Sequence, residues 1–115
     1  SIHNIRMLAV SQDIEKMFKN LVENAIKYNI KNGIIDIRLE KNDSKIIFEV
    51  FNTGVGIQKN EIDRIFERFY RVDSLRSIPG TGLGLSIVKH IVVKYHGTIE
   101  LDSEPNKYAK FKVIF

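Results

Sequence analysis

The 115-residue chain contains no cysteine. It therefore has no disulfide framework and no thiolate metal site, and a reducing compartment is compatible with it. It has no apolar run approaching the roughly 20 residues that span a bilayer. The opening Ser1-Ile2-His3-Asn4 carries neither the basic start nor the apolar stretch of a signal peptide. Internal repeats, low-complexity tracts and linkers are absent too, so one domain over residues 1–115 is expected. The charge excess is small, +4, and its lysines and arginines are spread along the whole chain. A nucleic-acid binder would need a basic strand interleaved with aromatics, or a recognition helix. A dispersed excess instead suits a solvated surface and an anionic ligand such as a nucleotide.

What is present is an ordinary globular balance, 43% hydrophobic and 28% charged, at a length that can bury well over half of the unfolded surface. Ile2 to Val10 reads as a short irregular strand. Ser11 is a plausible N-cap, followed by Asp13 and Glu15 where negative charge suits a helix start. Ile14, Met17, Phe18, Leu21, Val22, Ala25 and Ile26 then recur at helical spacing. Asn32-Gly33 turns the chain. Ile35, Ile37 and Leu39 alternate as one strand, and Ile46, Phe48 and Val50 as the next. Residues 52–82 are rich in glycine at both ends, with a short helical stretch around Glu61 to Phe69; so long a connection suggests a lid. A second helix presents Leu83, Ile87, Val88, Ile91, Val92 and Tyr95, and His96-Gly97 stops it, with glycine expected at the stop. Thr98 to Ser103 and Ala109 to Phe115 are the closing strands. This order lacks a regular βαβ rhythm and matches a mixed sheet covered by helices on one face.

Three segments carry chemistry. Asn20, Asn24 and Lys27 form a polar stripe beside the apolar face of the first helix, continued by Tyr28. An asparagine carbonyl is a hard ligand suited to Mg²⁺, a lysine neutralises phosphate and a tyrosine can stack on a base; the same residues also suit a plain solvent-facing stripe. Two glycine clusters follow, Asn52-Thr53-Gly54-Val55-Gly56-Ile57 after a strand and Gly80-Thr81-Gly82-Leu83-Gly84-Leu85 opening a helix. Glycines there let backbone N–H groups approach phosphate, or simply supply unusual backbone angles in a loop. The second cluster is spaced G-x-G-x-G and is neither a dinucleotide fingerprint nor a Walker A sequence.

In order, residues 20–28, 52–57, Ile65-Phe66-Glu67-Arg68-Phe69-Tyr70-Arg71 and 80–85 resemble the N, G1, F and G2 boxes of sensor histidine kinases, over nearly the whole chain. The resemblance implies an α/β two-layer sandwich, a mixed sheet with about three helices on one face and a flexible ATP lid. It implies ATP and Mg²⁺ as cofactors. Asn24 is then the Mg²⁺ ligand, with Asn20 beside it, Lys27 a phosphate contact and Tyr28 a neighbour of adenine. Asn52, Gly54, Gly56 and Ile57 belong to the base pocket. Gly80, Thr81, Gly82, Leu83, Gly84 and Leu85 cradle the phosphates. Arg71 resembles the lid arginine that reaches the γ-phosphate, so Asn20, Lys27 and Arg71 are the expected catalytic set. Phe66 and Phe69 are lid aromatics, which either serve nucleotide binding or pin the lid to the core. The implied partners are a dimerisation and phosphoacceptor domain and a downstream response regulator, with no nucleic acid. The isolated domain is expected to be monomeric and cytoplasmic, whether or not its parent is membrane-anchored.

Two positions depart from the family. Asn52 stands where the family has aspartate as acceptor for the adenine amino group; its amide can accept, or turn its donor to the O6 of guanine. Near the end, Ser103, Ala109 and Phe111 fit, but Asn106 and Tyr108 replace two glycines. None of His3, His90 and His96 sits in an acidic, helix-starting phosphoacceptor context, so the acceptor histidine is expected on a domain upstream. ATP-hydrolysing relatives carry a glutamate base where this chain has Asn20, and a binding module without catalysis is the other alternative.

Overall fold

The computed structural model describes residue 9, residues 11–70 and residues 83–115. The expected strand over Ile2 to Val10, save Ala9, lies outside them, as do Arg71 and residues 72–82 of the expected lid. Helix α1 runs Ser11–Lys27 without glycine or proline, with Asp13 in its first turn and Lys27 in its last, each matching the helix dipole. Strands β1 (Ile35–Asn42) and β2 (Lys45–Thr53) form a hairpin. A short 3₁₀ helix (Lys59–Arg64) covers only the first part of the helical stretch expected around Glu61 to Phe69, and turns follow it. Helix α2 (Gly84–Lys94) and strands β3 (Thr98–Glu104) and β4 (Tyr108–Ile114) complete the described chain. The sheet order is β1-β2-β4-β3, and every described ladder is antiparallel.

The sheet's two faces divide by chemistry. Facing the helices, Leu39, Phe48, Val113 and Ile99 form one cross-strand row, and Ile37, Val50, Phe111 and Leu101 the next. Against these rows pack Met17, Leu21 and Ala25 of α1 and Val88, Ile91 and Val92 of α2. Truncating a fully buried side chain such as Leu21 to alanine costs about 2–5 kcal/mol. On the opposite face Arg38, Glu49, Lys112 and Glu100 line up across all four strands with alternating sign. Opposite charges directly across strands are mildly favourable, so this face is a solvated one.

Two local expectations are corrected. Helix α1 packs mainly against α2 and β2, so only the centre of its apolar stripe is covered. Ile26, on the flank, remains 61% exposed. At the end of α2 it is His96, not Gly97, that takes the left-handed conformation, at φ 59°. The His96 N–H donates to Val93 O and the Gly97 N–H to Val92 O, the paired bonds of a Schellman stop. Gly97 is required for space instead, since a Cβ there would meet Ile114 O at 2.7 Å.

The β3–β4 connection shows how the chain does without the two glycines. Lys107 N–H donates to Glu104 O at 3.0 Å. Pro105 occupies the second turn position and Asn106, at φ 64°, the third, which is a type II turn. Asparagine tolerates that conformation better than most residues. Tyr108 lies within β4 and needs no glycine freedom.

A polar clamp joins the two helices. Asp13 accepts from Lys94 Nζ at 2.8 Å and from the Tyr95 hydroxyl at 2.6 Å. These two hydrogen bonds, the Lys94 bond first, hold the Asp13 carboxyl below its ordinary value and lift the Lys94 ammonium above its own. A carboxylate with a depressed folded pKa stabilises the fold above its unfolded value, and that stabilisation is lost as pH falls through the folded one.

Two predictions follow from these contacts. Asp13→Ala will melt lower than the parent at neutral pH, and the gap will close in acid, below the ordinary aspartate value of 3.8. Thermal melts across that range check this; a gap that does not depend on pH would contradict it. Asn106→Gly will keep the stability of the parent, whereas Asn106→Val will lose about 1–2 kcal/mol by forcing a β-branched residue to positive φ. Urea unfolding of both variants measures the difference.

Candidate functional site

The helix-facing side of the sheet turns polar and buried together at one end. At that end Ile35, Asn52, Ala109 and Ser103 lie side by side across the four strands. Asn52 continues the core stripe of β2 after Val50 and is 3% exposed, the one buried polar residue among those described. Its Nδ2 donates to Thr53 O at 2.8 Å. One of the two amide N–H groups is thereby engaged inside the protein, which orients the amide.

Three sequence-predicted segments meet near this row. The loop after β2 passes under the end of α1, where Gly54 faces the Tyr28 carbonyl so closely that any Cβ would collide with it. Gly54 has φ 145° and Gly56 φ 62°, so both positions favour glycine on backbone grounds as well. Gly56 packs against the Glu104 carbonyl at the end of β3, and Ile57 is buried in the core. On the other side Asn20 meets the start of α2: its Oδ1 would lie 3.1 Å from a Cβ built on Gly84. Asn20 Nδ2 donates to Lys16 O at 2.9 Å, which orients its amide.

The start of α2 offers no carboxylate of its own. Leu83 at the N-cap supplies no side-chain cap and the first turn holds no acid. Ser86, one turn in, turns its hydroxyl back to Leu83 O at 2.7 Å. A helix start of this kind favours an external anion, because its backbone dipoles point N–H groups outward. Asn24 is half-buried on α1 between Asn20 and Tyr28, and its amide makes no hydrogen bond within the described residues. Lys27 is exposed, with Nζ 5.7 Å from the centre of the Tyr28 ring. Leu85 is half-buried against the core.

Among the other expected residues, Arg71, Gly80, Thr81 and Gly82 lie outside the described residues. The two lid aromatics separate. Phe66 meets Phe111 edge-on at 6.3 Å and packs on the core. Phe69 is 64% exposed at φ 64°, with the Arg68 guanidinium 5.5 Å from its ring. Core pinning therefore describes Phe66 and not Phe69. Glu23 points to solvent and pairs with Lys19 at 3.9 Å, so α1 turns its central carboxylate outward.

Residues outside the expected site set, together with backbone of the β3–β4 hairpin, hold the loop in place. Thr53 Oγ donates to Asn29 Oδ1 at 2.6 Å and accepts from Ile34 N–H at 2.8 Å. Ser103 Oγ accepts from Ile57 N–H at 2.7 Å and donates to Tyr108 O at 3.0 Å. Asn106 N–H donates to Val55 O at 2.7 Å, and Gly54 N–H donates to Lys107 O at 3.1 Å. A small polar residue beside a glycine is the sequence signal for such a role, and ordinary turns display it equally.

Comparison with known proteins agrees with this arrangement. The family described as histidine kinase-, DNA gyrase B-, and HSP90-like ATPase matches residues 9–115. The signal transduction histidine-protein kinase ArlS of Staphylococcus aureus is 40% identical over 97% of this chain, which spans only 25% of that relative's length. The mycobacterial sensor histidine kinase MprB superposes with a TM-score of 0.86 at 30% identity, covering 95% of this chain and 75% of that one. Full-length ShkA in complex with AMPPNP gives a TM-score of 0.78 at 27% identity, over 89% of this chain and 21% of that one. The chain thus belongs to the histidine kinase-, DNA gyrase B- and HSP90-like ATPase family, as a catalytic domain of the histidine kinase type.

Proposed function

We propose that this domain binds ATP with Mg²⁺ and, within a sensor histidine kinase, delivers the γ-phosphoryl group to a histidine on a separate dimerisation and phosphoacceptor domain. A response regulator is the downstream partner, and the domain works in the cytoplasm. The observation that carries this reading is the close approach of Asn20 on α1 to Gly84 at the acid-free first turn of α2. The triphosphate binds there, on the amides of Leu83, Gly84 and Leu85 together with the preceding Gly80, Thr81 and Gly82. The complex of ShkA with AMPPNP supports nucleotide use by a relative of this fold.

The residues present suit the metal. Asn24 offers a half-buried amide oxygen without a described partner, a hard ligand of the type Mg²⁺ takes alongside phosphate oxygens and water. When bound, Mg²⁺ neutralises phosphate charge. Lys27 adds positive charge at the same edge, Asn20 orients the phosphates, and Arg71 meets charge on the transferring group. Such a site works by positioning and charge neutralisation. An amide at position 20 cannot take a proton from water, and Glu23 faces outward. Hydrolysis is therefore slow, and ATP is kept for the acceptor histidine.

Base choice rests on Asn52. With one N–H of Nδ2 given to Thr53 O and the amide so oriented, Oδ1 accepts from the amino group of adenine and repels the carbonyl that guanine has instead. Gly54, Gly56 and Ile57 shape the pocket beside it, and Tyr28 covers its rim.

Calorimetric titration of the domain tests the reading. ATP with Mg²⁺ will bind about tenfold or more tightly than GTP, the ratio that one lost hydrogen bond with repulsion commands. Absence of ATP binding at millimolar concentration would remove the reading altogether. Asn24→Ala will lower Mg²⁺-dependent ATP affinity about tenfold and leave the melting temperature unchanged. Arg71→Ala will reduce phosphotransfer, assayed with a dimerisation domain supplied in trans, far more than it reduces binding. Equal losses in the two assays would place Arg71 in ground-state binding instead.

A further inference from the structure

We propose that Ser103 is a positioning residue for base recognition, setting adenine affinity through Ile57 without touching the nucleotide. The inference rests on the nucleotide reading given above and adds a residue to it. The loop that carries Gly54, Gly56 and Ile57 has few means of holding its own shape, since two of its residues are glycines in left-handed or extended positive-φ conformations. Its conformation is imposed from the β3–β4 hairpin. Asn106 N–H reaches Val55 O, Lys107 O receives Gly54 N–H, and the Glu104 carbonyl closes on Gly56.

Within that set Ser103 supplies the one side chain that crosses from the hairpin to the loop. Its hydroxyl stands 2.7 Å from Ile57 N and 3.0 Å from Tyr108 O. It accepts from the Ile57 N–H and donates to Tyr108 O, with Ile57 O a longer alternative acceptor at 3.5 Å, so its bonds tie Ile57 to the hairpin. The two partners lie on either side of the pocket floor: Ile57 at the end of the loop, Tyr108 at the start of β4, opposite Thr53. Ser103 and Asn52 both pair with Ala109 and share its sheet face. Ala109 is the smallest side chain of that row, so the two polar residues flank a low point in the floor. Loss of the hydroxyl leaves the Ile57 amide without its acceptor, and Ile57 and Gly56 relax relative to Asn52. A displaced pocket wall loses contacts with the base while the phosphate end, 27 residues further along the chain at Gly84 and built on α2, is unaffected.

The test compares two probes on the same domain, ATP and inorganic tripolyphosphate, each with Mg²⁺. Ser103→Ala will weaken ATP about five- to tenfold, the typical weight of one hydrogen bond with its partner left unsatisfied, and will leave tripolyphosphate unchanged. Ser103→Thr, which keeps the hydroxyl, will restore ATP affinity. A purely structural serine would lower the melting temperature with no change in the ratio of the two affinities, and that result overturns the proposal. If Ser103→Ala does not fold, Ser103→Cys keeps the volume with a weaker acceptor and is read by the same ratio. Parent protein that binds neither probe removes the nucleotide reading itself; parent that binds ATP, with variants of unchanged ratio, removes only the role of Ser103.

Discussion

Two carbonyl oxygens determine where the loop after β2 runs. Tyr28 O, at the end of α1, presses on Gly54, and Glu104 O, at the end of β3, presses on Gly56. No side chain fits at either contact. The helical layer, the sheet edge and the β3–β4 hairpin therefore all meet on the backbone of Thr53 to Gly56. Asn52 and Ile57 enter and leave that segment, so their positions inherit its rigidity. The glycines act here by permitting close approach as much as by supplying flexibility.

The sheet shows the cost of introducing polarity into a core and how this chain meets it. Two of its helix-facing rows are wholly apolar, and the row with Asn52 and Ser103 lies beyond them at the site end. A buried amide or hydroxyl is expensive without partners. Asn52 satisfies its donor on the adjacent Thr53 carbonyl, and Ser103 bonds on both sides. Among the described residues no buried side-chain nitrogen or oxygen lacks a partner. Charges are kept to the opposite face, where Arg38, Glu49, Lys112 and Glu100 alternate in water.

The helices divide their labour in a similar way. The apolar centre of α1 holds it to α2 and β2, and the Asp13 clamp to Lys94 and Tyr95 joins the start of α1 to the end of α2. That fastening lies at the end of α2 remote from Gly84. The first turn of α2 carries no acid, so the dipole at that end is not offset by a carboxylate of the helix itself.

Residue spacing makes the two long helices and the four described strands legible, and the box motifs make the family legible. Helical and alternating periodicities are local, and Met17, Leu21 and Ala25 or Phe48 and Val50 reveal their buried side through spacing alone. The boxes at residues 20–28, 52–57, 65–71 and 80–85 were legible for the same reason, since each is a short run with its own residue pattern. Tertiary structure decided what those runs touch. Ser103 and Ile57 are joined across 46 residues, and Thr53 and Asn29 across 24; such contacts depend on strand register, which no short window contains. Helix packing left Ile26 exposed. The same holds for the two positive-φ stops: glycine was the natural candidate at residue 97, yet packing against Ile114 claimed that glycine and left the strained angle to His96. Composition names the residues able to adopt a conformation; only the packed neighbours select which one must.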